Sequence, residues 1–163
     1  MSRRPALVVA AALAAAGLVL AVVLAREHAF AHAGGTSFCS ISEYVNCDRV
    51  ATSRYSVALG LPLAAWGAFG YGLALLLALA GLSPRRSHEG WPAGLLFLVA
   101  AAASAAGLVL AGISEFAIGA LCLLCSASWL VSFGLLASAW RAGRPAGVAA
   151  TGAGGPRALA RAP

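Results

Sequence analysis

Four long apolar runs and one polar stretch set the pattern of this chain. Ala6 to Ala25 holds 20 apolar residues without a break and is preceded by Arg3 and Arg4. About 20 such residues cross the hydrocarbon core of a bilayer as a helix, which predicts a first span over about 6–25. A secretory signal peptide competes with this, with Ala31-His32-Ala33 as an A-x-A cleavage site. Signal h-regions run only about 7–15 residues, so the uncleaved helix is favoured. Arg26 to Ser56 is the polar stretch, with His28, His32, Cys39, Cys47 and three of the five acidic residues. Gly34-Gly35 is a flexible point in it, and Glu43 to Tyr55 is expected to form one or two helical turns across the membrane surface.

A second span is predicted over 59–82, with Pro62 in its first turn, where a missing N–H matters little. Ala64, Ala68 and Gly72 form a small-xxx-small row suited to close helix approach. Ser83 to His88 reads as a short basic turn, Pro92 to Ile113 as the third span, and Ser114-Glu115 as a tight reversal. The fourth span is expected over about 116–140. Residues 141–163 are mostly Gly, Ala, Pro and Arg, with too little bulk to build a core, and are expected to be a disordered cytoplasmic tail. The pattern therefore predicts an all-α integral membrane protein. It is a four-transmembrane-helix bundle within 1–140, with a long extracytoplasmic loop between helices 1 and 2.

Composition agrees: 61% of the 163 residues are hydrophobic and 10% charged, and the mean hydropathy is +0.89. A soluble domain carries about 25% charged residues, so that class is excluded. The net charge of +6 comes from arginine alone. A basic excess can signal nucleic-acid binding, but these arginines cluster at the ends of apolar runs and fit the cytoplasmic side of a membrane protein. With the N-terminus inside, Arg3, Arg4, Arg85, Arg86, Arg141, Arg144, Arg157 and Arg161 are cytoplasmic, against Arg26, Arg49 and Arg54 outside. Positive charge favours the inside, which puts both termini in the cytoplasm and the polar stretch outside. Trp91 and Trp140 then lie at the cytoplasmic interface as anchors. The Ala, Gly and Arg bias points to a GC-rich bacterial gene, hence a multi-pass protein of the bacterial cytoplasmic (inner) membrane.

The chemistry lies in four cysteines. Cys122-Leu123-Leu124-Cys125 is a C-x-x-C pair in an apolar run, expected one to three turns into the fourth helix, roughly 6–15 Å below its outer end. Thiols at i and i+3 share a helix face and can close a disulfide. Cys39 and Cys47 lie in the polar stretch on the same, oxidising side, so thiol–disulfide exchange between the pairs is feasible. Simple packing accounts poorly for two pairs, whereas a structural loop disulfide would account for Cys39 and Cys47 alone. No metal is expected: the loop lacks the paired short spacing of a zinc site. Haem attachment needs a histidine where Ser126 stands. His28 and His32 read as surface histidines, and Glu115 as an interfacial carboxylate.

The combined pattern is specific. Cys39, seven residues, Cys47, then Ser53, Gly60-Leu61-Pro62, Gly67 and Cys122-Leu-Leu-Cys125 resembles the vitamin K epoxide reductase family, and among its members a bacterial homologue. The resemblance covers about residues 7–140. It implies a four-helix bundle around a quinone, with menaquinone or ubiquinone as electron acceptor. It implies that Cys125 is the thiolate reducing the quinone, that Cys122 forms the disulfide attacked by Cys47, and that Cys39 exchanges with a thioredoxin-like partner. Ser53 matches a loop serine that hydrogen-bonds near the quinone.

Two matching positions depart from animal members. Leu63 stands where they carry a substrate-binding asparagine, and Trp129 where they carry a tyrosine. Both are expected at the quinone, but vitamin K epoxide is then a poor candidate substrate. No fused thioredoxin-like domain follows, so the partner is expected to be a separate DsbA-like extracytoplasmic protein. The implied function is a membrane thiol–quinone oxidoreductase supporting disulfide formation in exported proteins. Gly67, Gly70 and Gly72 leave room either for the ring or, better, for helix packing. A DsbB-type quinone reductase would carry its C-x-x-C in the first loop. The alternative from another class is a non-catalytic membrane protein or small transporter with a structural loop disulfide, although the spans offer almost no buried charge for transport.

Overall fold

The computed structural model describes residues 3–84 and 90–143. Helix α1 spans Arg3–His32, α2 Cys47–Ala51, α3 Leu63–Leu82, α4 Trp91–Gly112 and α5 Leu123–Gly143. A 3-10 turn at Arg54–Ser56 and a two-stranded hairpin, β1 Val57–Ala58 and β2 Leu61–Pro62, lie between α2 and α3. Four helical stretches are long and apolar enough to cross a membrane: α1, α3, α5, and α4 with its continuation to Ile118. The protein is thus a helical, multi-pass membrane protein.

The bundle is closed by small residues. Ala6, Ala10, Ala14, Gly17 and Ala21 recur every three or four positions along α1 and are buried, the spacing of one helix face. They pack with Tyr71, Ala74, Leu77 and Ala78 of α3 and Leu135 and Ala139 of α5. In lipid, where apolar side chains gain little by leaving the solvent, close backbone approach drives such packing. Gly17 and Tyr71 show how close it is. A Cβ at Gly17 would lie 2.4 Å from the tyrosine ring. The Tyr71 hydroxyl crosses to α5, hydrogen-bonded with the Ser128 carbonyl at 2.8 Å and the Ser132 hydroxyl at 2.8 Å.

Several boundaries differ from the sequence expectation. Pro62 ends β2 and precedes α3, so it is not in the helix's first turn. Leu59 and Gly60, with φ of 53° and 80°, make the tight turn of the hairpin, and the apolar run conceals that turn. No reversal occurs at Ser114-Glu115. The chain continues from α4 through wider π-helical turns, Ile113–Ile118, because neither residue breaks a helix. The break comes at Gly119, whose φ of 67° ends the helix in the left-handed region open to glycine. The fourth long helix consequently begins at Leu123 and not at Phe116. It also runs through Arg141–Gly143, so the helix covers the start of the expected tail. Residues 144–163 of that tail, and Arg85 to His88 of the expected basic turn, lie outside the described residues.

Candidate functional site

The segment between α1 and α3 is tied to the C-x-x-C by backbone pairing. Val45 and Leu121 form a parallel β-bridge. The Leu121 N–H donates to the Tyr44 carbonyl at 2.7 Å and the Asn46 N–H to the Leu121 carbonyl at 3.0 Å. Cys47 and Cys122 each follow this bridge within two residues, and the register brings Cys39, Cys47 and Cys122 into one buried cluster, with Cys125 packed against it. Outside the bridge, the Tyr44 hydroxyl donates to Glu115 Oε2 at 2.7 Å. That bond makes Glu115 part of the link between the two segments. It also raises the Tyr44 pKa above its ordinary value.

Cys39 and Cys47 are joined by a disulfide, with Cα atoms 5.7 Å apart, and Cys122 and Cys125 are free thiols. A polar cage holds the bonded pair. The Asp48 carboxylate accepts the Ser37 N–H at 2.9 Å and the Ser40 hydroxyl at 2.7 Å. Ser37 Oγ lies 3.7 Å from Cys39 Sγ. The Asn46 side chain caps α2 by accepting the Arg49 N–H at 2.9 Å. Desolvation pushes the Asp48 carboxyl up, but the hydrogen bonds from Ser37 and Ser40 outweigh it and hold its pKa below the usual value. Cys39 is only 1% exposed, while its neighbours Phe38 and Ile41 are each 71% exposed.

Cys122 is not one to three turns inside a helix. It is the residue before α5, and Cys125 lies in the first turn. The Cys125 N–H donates to Cys122 Sγ at 3.2 Å, and the Ser126 N–H to the Cys122 carbonyl at 3.0 Å, so Cys122 itself caps the helix. Both thiols line the same cavity and lie within one turn of each other. The break at Gly119 and the late start of α5 at Leu123 are what move the pair to the helix end.

A cavity of about 110 Å³ opens beside these sulfurs. Leu24, Leu63, Leu110, Ile113, Ile118 and Trp129 form much of its apolar wall, and Cys47, Cys122 and Cys125 all line it. Ser53, Leu63 and Trp129 are therefore brought together at one cavity with three of the four cysteines, while Cys39 stands behind Cys47. The Ser53 hydroxyl donates to the Val50 carbonyl at 2.7 Å. Gly107 leaves room for Trp129, since a Cβ there would lie 3.1 Å from the indole. Gly67, Gly70 and Gly72 do not line the cavity, and Gly67 faces Ala21 of α1 at ordinary contact distance.

Glu27, His28, Tyr55 and Ser56 also line it and were not singled out as site residues by sequence reasoning. The available signal was the spacing Leu24, Glu27, His28, which places all three on one face at the end of α1. His28 hydrogen-bonds the Ala51 backbone, and its ring packs tilted at 56° against that of His32, centres 4.4 Å apart. No group of three or more potential metal ligands occurs among the described residues.

Comparison with known proteins gives the same reading as the cysteine pattern. No curated protein matches the chain. The model of the vitamin K epoxide reductase family matches residues 8–140, which takes in all four cysteines and most of every long helix. The chain belongs to the vitamin K epoxide reductase family.

Proposed function

We propose that the protein is a membrane thiol–quinone oxidoreductase of bacterial origin. In this reading it passes electrons from a separate thioredoxin-like protein outside the cytoplasmic membrane, through Cys39/Cys47 and Cys122/Cys125, to a quinone. New disulfides in exported proteins are the net product. The observation that carries the reading is an apolar cavity lined at once by Cys47, Cys122 and Cys125. Such a cavity suits a greasy ring, and among its polar lining groups the Tyr55 hydroxyl and the Glu27 carboxyl suit the two ring oxygens. Trp129 offers a face for stacking, Leu63 would add to the apolar wall around the ring, and Ser53 shapes the wall, its hydroxyl already given to the Val50 carbonyl.

The chain's own steps follow from thiol exchange. The partner reduces Cys39–Cys47 to two thiols and is itself oxidised. The Cys47 thiolate attacks Cys122 of a Cys122–Cys125 disulfide, and Cys125 leaves as thiolate. Cys39 then attacks Cys47, which closes Cys39–Cys47 and releases Cys122. A bonded loop pair beside two free thiols, as the structure has them, is compatible with a stage that has both electrons on the inner pair. Cys125, supported by Cys122, delivers them to the quinone, and the Cys122–Cys125 bond re-forms. A bound quinone supplies the two-electron sink.

The decisive measurement is quinone reduction by the detergent-purified protein with a dithiol donor, using menaquinone and ubiquinone analogues. Reduction by wild type that vanishes in Cys125→Ala is the expected result. Equal rates in both, with the proteins shown to be folded, would replace this reading with that of a membrane protein held by a structural loop disulfide.

A further inference from the structure

Glu27 is the carboxyl group at the cavity whose role the thiol steps leave open. It lies just past the apolar run of α1, and its face of the helix, shared with Leu24 and His28, lines the cavity wall, whose described lining includes no arginine. Its Oε2 atom is enclosed, and no described protein group hydrogen-bonds it. A buried carboxylate oxygen without a partner is costly to desolvate. The neighbouring His28 is already engaged with the Ala51 backbone. The enclosed oxygen of Glu27 is thus an uncommitted proton-exchanging group at a cavity shared with Cys122 and Cys125.

We infer that Glu27 is the proton donor to a quinone oxygen at this cavity, an inference that rests on the thiol–quinone reading above. The balance is simple. Reduction breaks two S–H bonds, at Cys122 and Cys125, and forms one S–S bond. Two electrons pass to the quinone, and its two oxygens each gain a proton. Glu27 in its carboxylic acid form gives its proton to one oxygen and recovers one of the two protons lost by the thiols. This role suits a carboxyl more than a thiol, because the thiols must lose their protons to react, whereas a general acid must hold its proton until the oxygen becomes basic. The other titratable groups at the cavity are His28 from α1, Tyr55 from the 3-10 turn, and the two thiols. Neither α3 nor the α4 continuation adds a titratable group to the lining.

The test uses the full-length protein in detergent, reduced with dithiothreitol, with a short-chain menaquinone analogue as probe. Glu27→Gln keeps the shape and loses the exchangeable carboxyl proton, and Glu27→Asp restores the carboxyl. Three quantities are read: turnover against pH, quinone binding by quenching of tryptophan fluorescence, and the carboxyl band in infrared difference spectra on quinone addition. The expected result for Glu27→Gln is a loss of turnover of about 100-fold with quinone binding retained. One ionisation should also disappear from the pH–rate profile, together with the quinone-induced carboxyl band. Glu27→Asp should recover both the ionisation and part of the rate.

Glu27→Gln turning over like wild type at every pH would overturn the inference and leave the thiol–quinone reading intact, provided Cys125→Ala is inactive. A change confined to KM would overturn it too, since that marks binding without proton transfer. If Glu27→Gln does not fold, Glu27→Asp decides. An unchanged carboxyl band on quinone addition to wild type and Glu27→Asp would then overturn the inference. Wild type that reduces no quinone would remove both readings together.

Discussion

At the scale of single residues, the wall of the cavity is set by one missing methyl group. Trp129 packs where Gly107 leaves space, and a Cβ at that position would sit 3.1 Å from the indole Cδ1. Gly107→Val is expected to push the indole toward the cavity, raising the KM for quinone while leaving exchange between the cysteine pairs unchanged. Overpacking of this kind destabilises by about 1–3 kcal/mol, so a thermal-shift assay in detergent should show a lower melting temperature alongside the kinetic change. Asp48 acts at the other pair. Its pKa lies below the ordinary value because Ser37 and Ser40 donate to it. A depressed carboxyl stabilises the cage above its unfolded-state pKa and loses that contribution as pH falls through the folded value. Acidification below roughly pH 4 should therefore loosen the cage. Asp48→Asn should loosen it at neutral pH, with reduction of Cys39–Cys47 by an added dithiol roughly tenfold faster, as expected for loss of a charge-assisted hydrogen bond of about 1.5 kcal/mol. An unchanged reduction rate would mean that the cage does not guard the disulfide. Cys39, Cys47, Cys122 and Cys125 were legible in the sequence because their spacing is informative by itself. Tyr55 was not, since a polar residue in an irregular stretch gives no sign of the face it will present, and Glu27 left only the faint signal of sharing a helix face with Leu24 and His28.

At the scale of elements, the site depends on a junction that no local pattern announces. The bridge between Val45 and Leu121 joins residues far apart in sequence, and it forms because Gly119 ends the helix early enough to leave Leu121 extended. Helix-compatible residues on both sides of Gly119 hide that ending, so apolar periodicity runs the third and fourth spans almost together. The four long helices themselves are legible, because the bilayer imposes their length. Two outcomes test the junction. Leu121→Pro removes the N–H that donates to Tyr44. In a Cys39→Ala background, where Cys47 attack leaves a Cys47–Cys122 bond in place, it should cut the yield of that bond about 100-fold or more in rate, the effect of misplacing reacting groups by about 1 Å. Helical content should be unchanged. Tyr71→Phe, by contrast, leaves the site alone and removes the hydroxyl shared with Ser128 and Ser132. It should lower stability by about 1–2 kcal/mol, read as a melting shift, with little change in turnover.

At the scale of the whole molecule, the direction in which the site faces decides what it can do for the cell. Cys39 and Cys47 sit on the α1–α3 connection, and Cys122 and Cys125 sit at the same end of the bundle, joined to it by the bridge. One orientation therefore fixes the environment of all four sulfurs together. In the cytosol, glutathione and thioredoxin keep thiols reduced, and a loop disulfide would rarely persist. Outside, it persists and can be passed on. The arginine distribution, eight against three for an inside N-terminus, argues for the outer face. Fusions to alkaline phosphatase, which folds only where disulfides form, read the orientation directly. A fusion after Gly35 should be active and a fusion after Ser83 inactive. The opposite pattern would place the sulfurs in the reducing compartment. The chain could then still move electrons between thiols and a quinone, but it could not supply disulfides to exported proteins.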